Sequence, residues 1–145
     1  MTRRPRIILA KPGLDGHDKG ARLVAMAMRD ADIDVTYLGL RQSVDSIVDA
    51  AVQKEADFIG LSILSGVHLN VADKLLKKMS EAGIHCPVVI GGIIPPQDEA
   101  KLKEIGIAQV FPVGTAFATT VDWINQNFKE DETGRAAKWQ MEKTS

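Results

Sequence analysis

Two residues able to hold a metal stand two positions apart near the amino end of the chain. They are Asp15 and His17, within Lys11-Pro12-Gly13-Leu14-Asp15-Gly16-His17-Asp18-Lys19-Gly20. A neutral imidazole offers one ring nitrogen to a metal, and its other N–H is commonly held by a carboxylate, which fixes the tautomer and raises basicity. In a loop flanked by glycines, Asp15 and His17 can meet without a helix or strand constraining them. Lys11, four residues before Asp15, can keep that carboxylate ionised. The same residues also suit a plainer arrangement, in which Asp15 caps the following helix and His17 is solvated. One histidine makes a poor zinc site, since structural zinc wants four protein ligands and catalytic zinc usually three. His68 and His85 fall on other elements, and His68 is expected at the surface or facing a partner. A single protein ligand makes sense when the metal arrives already chelated in a macrocycle.

The elements that would position this loop can be read from periodicity. Ile7–Ala10 is a short apolar strand closed by the Lys11-Pro12-Gly13 turn. From Asp18 to Ala31 the spacing of Leu23, Val24, Ala27, Met28 and Ala31 predicts a helix with one buried face. Strands are expected at Ile33–Leu38, Phe58–Ile63, Pro87–Ile90 and Gln109–Pro112. Helices are expected after Ser43 as a cap, from about Val67 to Ala82, after Pro95-Pro96, and over the last segment carrying Phe117, Val121, Ile124 and Phe128 on one face. Five strands alternating with five helices predict an α/β fold: a doubly wound parallel sheet, flavodoxin-like, in the order 2-1-3-4-5, with helices on both faces. Ligands of such sheets bind at the carboxyl edge near the switch point. There the loop after strand one meets Ser62-Ile63-Leu64-Ser65-Gly66 after strand three, with Gly91-Gly92 and Gly114-Thr115 along the same edge. Small residues at these positions keep space open for a long, thin ligand.

Composition narrows the classes. The chain has 145 residues, 45% of them hydrophobic, and a formal net charge of −1. One ordinary domain over residues 1–128 accounts for this, with a polar tail over 129–145 in which Trp139 is a candidate partner contact. A nucleic-acid surface is not expected, because it needs a basic excess. The single cysteine, Cys86, excludes an internal disulfide and reads as buried filler beside Pro87. Apolar runs fall short of the ~20 residues that span a bilayer, and the first one is too short for a signal peptide. A cytoplasmic protein with no membrane association is expected.

Taken in order, Asp15-x-His17-x-x-Gly20, Ser62-x-Leu64 and Gly91-Gly92 resemble the cobalamin-binding domain of adenosylcobalamin-dependent mutases. The longer run Lys11-x-x-x-Asp15-Gly16-His17-Asp18-x-Gly20 is similar to the acyl-CoA mutase branch, represented by methylmalonyl-CoA mutase. The resemblance extends from about Arg6 to Phe128. It implies that His17 is the lower axial ligand of cobalt, replacing the cofactor's own benzimidazole. It implies that Asp15 accepts the other His17 N–H and that Lys11 pairs with Asp15, so these three would be the catalytic set. The displaced nucleotide tail would lie in a slot past Gly20, Ser62, Leu64, Gly91 and Gly92, with Ser62 offering a hydroxyl to the base. Gly16, Asp18, Ser65 and Gly66 would border the cofactor, and Gly114-Thr115 would close the slot. The family usually has a Gly-Pro-Gly-Thr-like turn there, whereas this chain reads Phe111-Pro112-Val113-Gly114-Thr115.

In such mutases the Co–C bond breaks homolytically and the adenosyl radical abstracts a substrate hydrogen; the cofactor supplies that chemistry and the protein positions it. The substrate-binding (β/α)₈ barrel of these enzymes needs ~250 residues, for which this chain has no room. The resemblance therefore implies the small subunit of a two-subunit acyl-CoA mutase. It would pair with a large barrel subunit as a heterotetramer of two large and two small chains. Methylmalonyl-, isobutyryl- and 2-hydroxyisobutyryl-CoA are candidate substrates, bound mainly by the partner. A corrinoid methyl-carrier protein would share the Asp15-x-His17-x-x-Gly20 motif but would normally carry a helical cap before the first strand. A cobalamin sensor is a further alternative, without a DNA-binding segment here. A receiver domain would want an aspartate after strand three, where Ser62 stands, and a flavodoxin would want a hydroxyl-rich loop after strand one.

Overall fold

The computed structural model describes residues 4–12, 19–63 and 67–128. Along the chain run β1 (Arg6–Pro12), α1 (Lys19–Asp30), β2 (Asp34–Gln42), α2 (Val44–Lys54), β3 (Phe58–Ile63), α3 (His68–Glu81), β4 (Val88–Gly92), α4 (Pro96–Ile105), β5 (Gln109–Pro112) and α5 (Phe117–Asn127). All strand pairs are parallel, and the sheet order is β2-β1-β3-β4-β5. This is the flavodoxin-like topology that the alternation of elements predicts.

Local chemistry sets the helix ends. Ser43 caps α2, its Oγ accepting the Ser46 N–H at 3.0 Å. Pro96 opens α4, with Asp98 and Glu99 in its first turn, where carboxylates complement the helix dipole. Gly83, at φ +76°, follows α3, and the Ile84 N–H reaches back to Met79 O at 2.9 Å, closing a Schellman turn.

Alternation along the strands divides the core between the two faces of the sheet. Ile8, Ala10, Ile59, Leu61, Ile63, Val88, Ile90 and Val110 pack with Ile47 of α2, Leu75 of α3 and Leu102 of α4. Ile7, Leu9 and Phe58 point the other way, against Ala25 and Met28 of α1 and Ile124 of α5. The second face thins toward the carboxyl edge. Ile7 pairs with Phe58, then Leu9 with Gly60, and finally Ser62 with Gly91. Large side chains fill its amino half, and small ones leave the carboxyl half open beneath α1 and α5.

Several sequence expectations need correction. The second strand runs past Gly39 to Gln42. Gly39, at φ +93°, lies where the β1–β2 register shifts, so it forms a bulge rather than an end. The Gln42 amide secures that bulge by donating to Leu38 O and Leu40 O, each at 3.1 Å. On α1 the buried residues are Ala21, Ala25 and Met28, while Leu23 is exposed. The helix is thus rotated from the expected stripe, and its smallest residues face the sheet. Phe117 is also exposed, although Ile124 on the same helix is buried. Among the described residues no helix is long and apolar enough to cross a membrane.

Candidate functional site

A cavity of about 350 Å³ opens between the thinned face of the sheet and helices α1 and α5, a size within the usual range of ligand pockets. Its floor is built from Leu9, Gly60, Ser62, Val89 and Gly91, and its walls from Gly20, Val24 and Met28 of α1 and from Phe117 and Thr120 of α5. Phe111 closes one side, and the turn Pro112-Val113-Gly114-Thr115 closes the rim. The lining is mainly apolar, with Ser62, Thr115 and Thr120 supplying hydroxyls.

The glycines differ in what they do. A Cβ on Gly20 would meet nothing within 4 Å, and one on Gly91 only Phe111 O at 3.6 Å. Both positions keep ligand space open. A Cβ on Gly60 would come within 2.9 Å of Leu9 Cδ1, so this glycine admits Leu9 to the floor. Gly92, at φ +142°, lies against the backbone of Ile63, and a Cβ there would overlap the Ile63 carbonyl. Its role is to let β3 and β4 come together at their ends.

Lys11 is 2% exposed. Its Nζ donates to Ser62 O at 3.2 Å, tying the end of β1 to the end of β3 across the switch point. Thr115 folds the rim turn, its N–H and Oγ1 both donating to Pro112 O at 3.0 and 2.6 Å. The Val113 N–H donates to Gly92 O at 3.1 Å and joins that turn to the end of β4. Behind Phe111 stands Trp123, edge-on to both Phe111 and Phe58 with ring centroids 6.0 and 5.9 Å apart.

Of the residues singled out from sequence, Lys11, Gly20, Ser62, Gly91, Gly92, Gly114 and Thr115 line this one cavity. Asp15, Gly16, His17, Asp18, Leu64, Ser65, Gly66 and Trp139 lie outside the described residues. Lys19, Phe111, Phe117 and Thr120 line the cavity and were not anticipated as site residues. A lysine beside Gly20 at a helix start was the signal available for Lys19. For Thr120 and Phe117 no signal existed, because only the docking of α5 decides which of its residues meet the slot. His68, expected at the surface or facing a partner, is instead buried, with Nε2 2.8 Å from Asp98 Oδ2. Cys86 is buried as expected, and burial, slightly offset by a backbone hydrogen bond, pushes its thiol up to about 12. Among the described residues no group of three or more His, Cys, Asp or Glu could hold a metal ion.

Residues 5–121 match the B12 binding domain model. The chain belongs to the B12-binding domain family. It is 42% identical over 120 residues to the 2-hydroxyisobutanoyl-CoA mutase small subunit of Aquincola tertiaricarbonis, covering 82% of this chain and 88% of that one. It is 47% identical over 108 residues to ethylmalonyl-CoA mutase of Methylorubrum extorquens. That match covers 74% of this chain but spans only 16% of the longer relative. Among solved structures, a cobalamin-binding protein from Desulfitobacterium hafniense superposes with a TM-score of 0.73 at 22% identity, covering 85% of this chain and 58% of that one. At that identity the likeness speaks for the shared fold. As a B12-binding domain, the chain has its cavity at the carboxyl edge of the sheet, where doubly wound folds bind ligands.

Proposed function

We propose that this chain is the cobalamin-binding small subunit of a two-subunit adenosylcobalamin-dependent acyl-CoA mutase. The observation that carries this reading is the near end-to-end similarity to a mutase small subunit, joined to a cavity lined by the glycines and the serine of the cobalamin motif. The residues present fit the cofactor's nucleotide tail. Gly20 and Gly91 leave room that a Cβ would fill, the floor is apolar, and Ser62 offers a hydroxyl to the base. Lys19, at the amino end of α1 and on the cavity wall, supplies positive charge beside the first-turn N–H groups of the helix, an arrangement that suits a phosphate.

In this reading His17 coordinates cobalt, Asp15 accepts the other imidazole N–H, and Lys11 supports Asp15. What supports this role for Lys11 is that its burial and its bond to Ser62 O hold the ammonium at the switch point. Bound adenosylcobalamin supplies a homolytically cleavable Co–C bond that starts a radical rearrangement of a short branched acyl-CoA. The domain's own work is to hold the nucleotide, present an imidazole and exclude water. Val67, Ile93, Val113 and Phe117 are exposed apolar residues beside the carboxyl ends of β3, β4 and β5. Apolar side chains gathered on one edge suit an interaction surface, here for the corrin and for a large barrel subunit that binds the acyl-CoA, two copies of each chain forming the enzyme.

The test is an EPR spectrum of cob(II)alamin bound to protein carrying ¹⁵N-histidine. A superhyperfine pattern from the protein nitrogen, absent in His17→Ala, is the expected result. Cobalamin bound with its own benzimidazole on cobalt would overturn the mutase reading.

A further inference from the structure

We infer that His68 and Asp98 form a latch that positions the floor and rim of the cofactor slot, an assignment that rests on the cobalamin function proposed above. His68 is the first residue of α3 and Asp98 lies in the first turn of α4. Their side chains are 5% and 16% exposed, and Nε2 stands 2.8 Å from Oδ2. A carboxylate can only accept, so Nε2 carries the hydrogen and donates. Lys101, with Nζ 3.9 Å from Oδ1, flanks the same carboxylate from the next turn.

The pair closes a ring of contacts. The strands beneath are paired at Ser62–Gly91 and Ile63–Gly92, and the glycine at 92 lets the Ile63 carbonyl approach. Above that point β3 leads to α3 and β4 leads through buried Ile94 and half-buried Pro95 to α4. The His68–Asp98 bond then joins the two helix starts. From Gly92 the connection continues to the slot rim, since the Val113 N–H bonds Gly92 O. Movement at the start of α4 is thereby carried to Gly91 on the slot floor and to Val113, Gly114 and Thr115 on its edge.

A buried polar pair is an expensive way to join two helices that apolar side chains could pack, because each partner left alone costs its full desolvation. Its advantage is geometric, since a hydrogen bond admits a narrow range of distance and angle. The latch therefore fixes the separation of α3 and α4 on the face of the sheet opposite the slot, and with it the ends of β3 and β4 that carry Ser62 and Gly91 on the slot floor. His68 and Asp98 are positioning residues and need not touch the cofactor.

The experiment titrates adenosylcobalamin into the full chain, followed by absorbance, for wild type, His68→Leu and His68→Gln. A control, Val48→Ala on α2, lowers the thermal midpoint from a site away from the slot. Amide exchange at residues 91–94 and 111–115 is measured alongside, without cofactor. His68→Leu is expected to weaken binding by roughly tenfold, the scale of leaving one buried hydrogen-bond partner unsatisfied, and to speed exchange in both segments. His68→Gln, whose amide can donate to Asp98, is expected to restore most of the affinity, and the control to keep it. Asp98→Ala, at the more exposed end of the pair, gives the same readouts should His68→Leu fail to fold. Wild-type affinity in both latch variants overturns the latch alone, as does an equal loss in the control. A wild-type chain that binds no cobalamin overturns the latch and the proposed function together.

Discussion

Lys11 and Ser62 are joined across the switch point of the sheet, the buried ammonium donating to the serine carbonyl at 3.2 Å. A lysine seldom goes fully inside unless it is paired, and here its bond holds together the ends of the two strands that flank the site. Lys11→Met keeps the length and removes the charge. It loses a charged hydrogen bond of about 1.5–3 kcal/mol but also the cost of burying an ammonium, so the thermal midpoint should move little. Cobalamin affinity should fall by roughly 10–100-fold, as when outer-shell partners are removed from metal sites. Parallel melting and absorbance titrations check both halves of this expectation.

Adjacent glycines should fail in different ways. Gly92→Ala places a methyl on the Ile63 carbonyl in a backbone conformation unsuited to it, costing at least the ~1–3 kcal/mol of a strained position. A lowered urea midpoint, or insoluble protein, is the expected outcome. Gly91→Ala meets nothing closer than 3.6 Å and should melt like wild type. Its methyl occupies the slot, and overpacking of about 1–3 kcal/mol corresponds to roughly five- to hundredfold weaker cobalamin binding.

His17→Ala should leave the circular dichroism spectrum and thermal midpoint unchanged while removing the protein nitrogen from cobalt. Cofactor spectra identical to wild type would take His17 out of the ligand role. Asp15→Asn should retain coordination but weaken binding or activity by roughly 10–100-fold.

Cys86 gives a pH dependence of known sign. Burial raises its thiol from the ordinary 9.0 to about 12, so the folded chain holds this proton more tightly than the unfolded chain does. Its contribution to stability is complete below pH 9 and is lost as pH rises toward 12. Urea midpoints should fall across that window in wild type and less steeply in Cys86→Ala. In the folded protein at pH 8, iodoacetamide should leave Cys86 unmodified, and labelling should follow unfolding.

Sequence alone determined the order of elements, the parallel sheet and the edge at which the site lies. Those properties follow from local periodicity, from turn residues such as Pro95-Pro96 and Gly83, and from the alternation of strands with helices. It also located Ser62, Gly91 and Gly114 on one edge, because residues just after parallel strands must gather there. What only the tertiary structure decided depends on how helices rotate and dock. The turn of α1 that brings Ala21 and Ala25 inward and leaves Leu23 exposed is settled by how the helix seats on the sheet, which its own periodicity does not fix. The choice of Phe117 and Thr120 as slot walls depends on the seating of α5. His68 and Asp98 stand thirty residues apart, and no local pattern announces a bond between them. It exists because β3 and β4 are neighbours, which brings the starts of their following helices side by side.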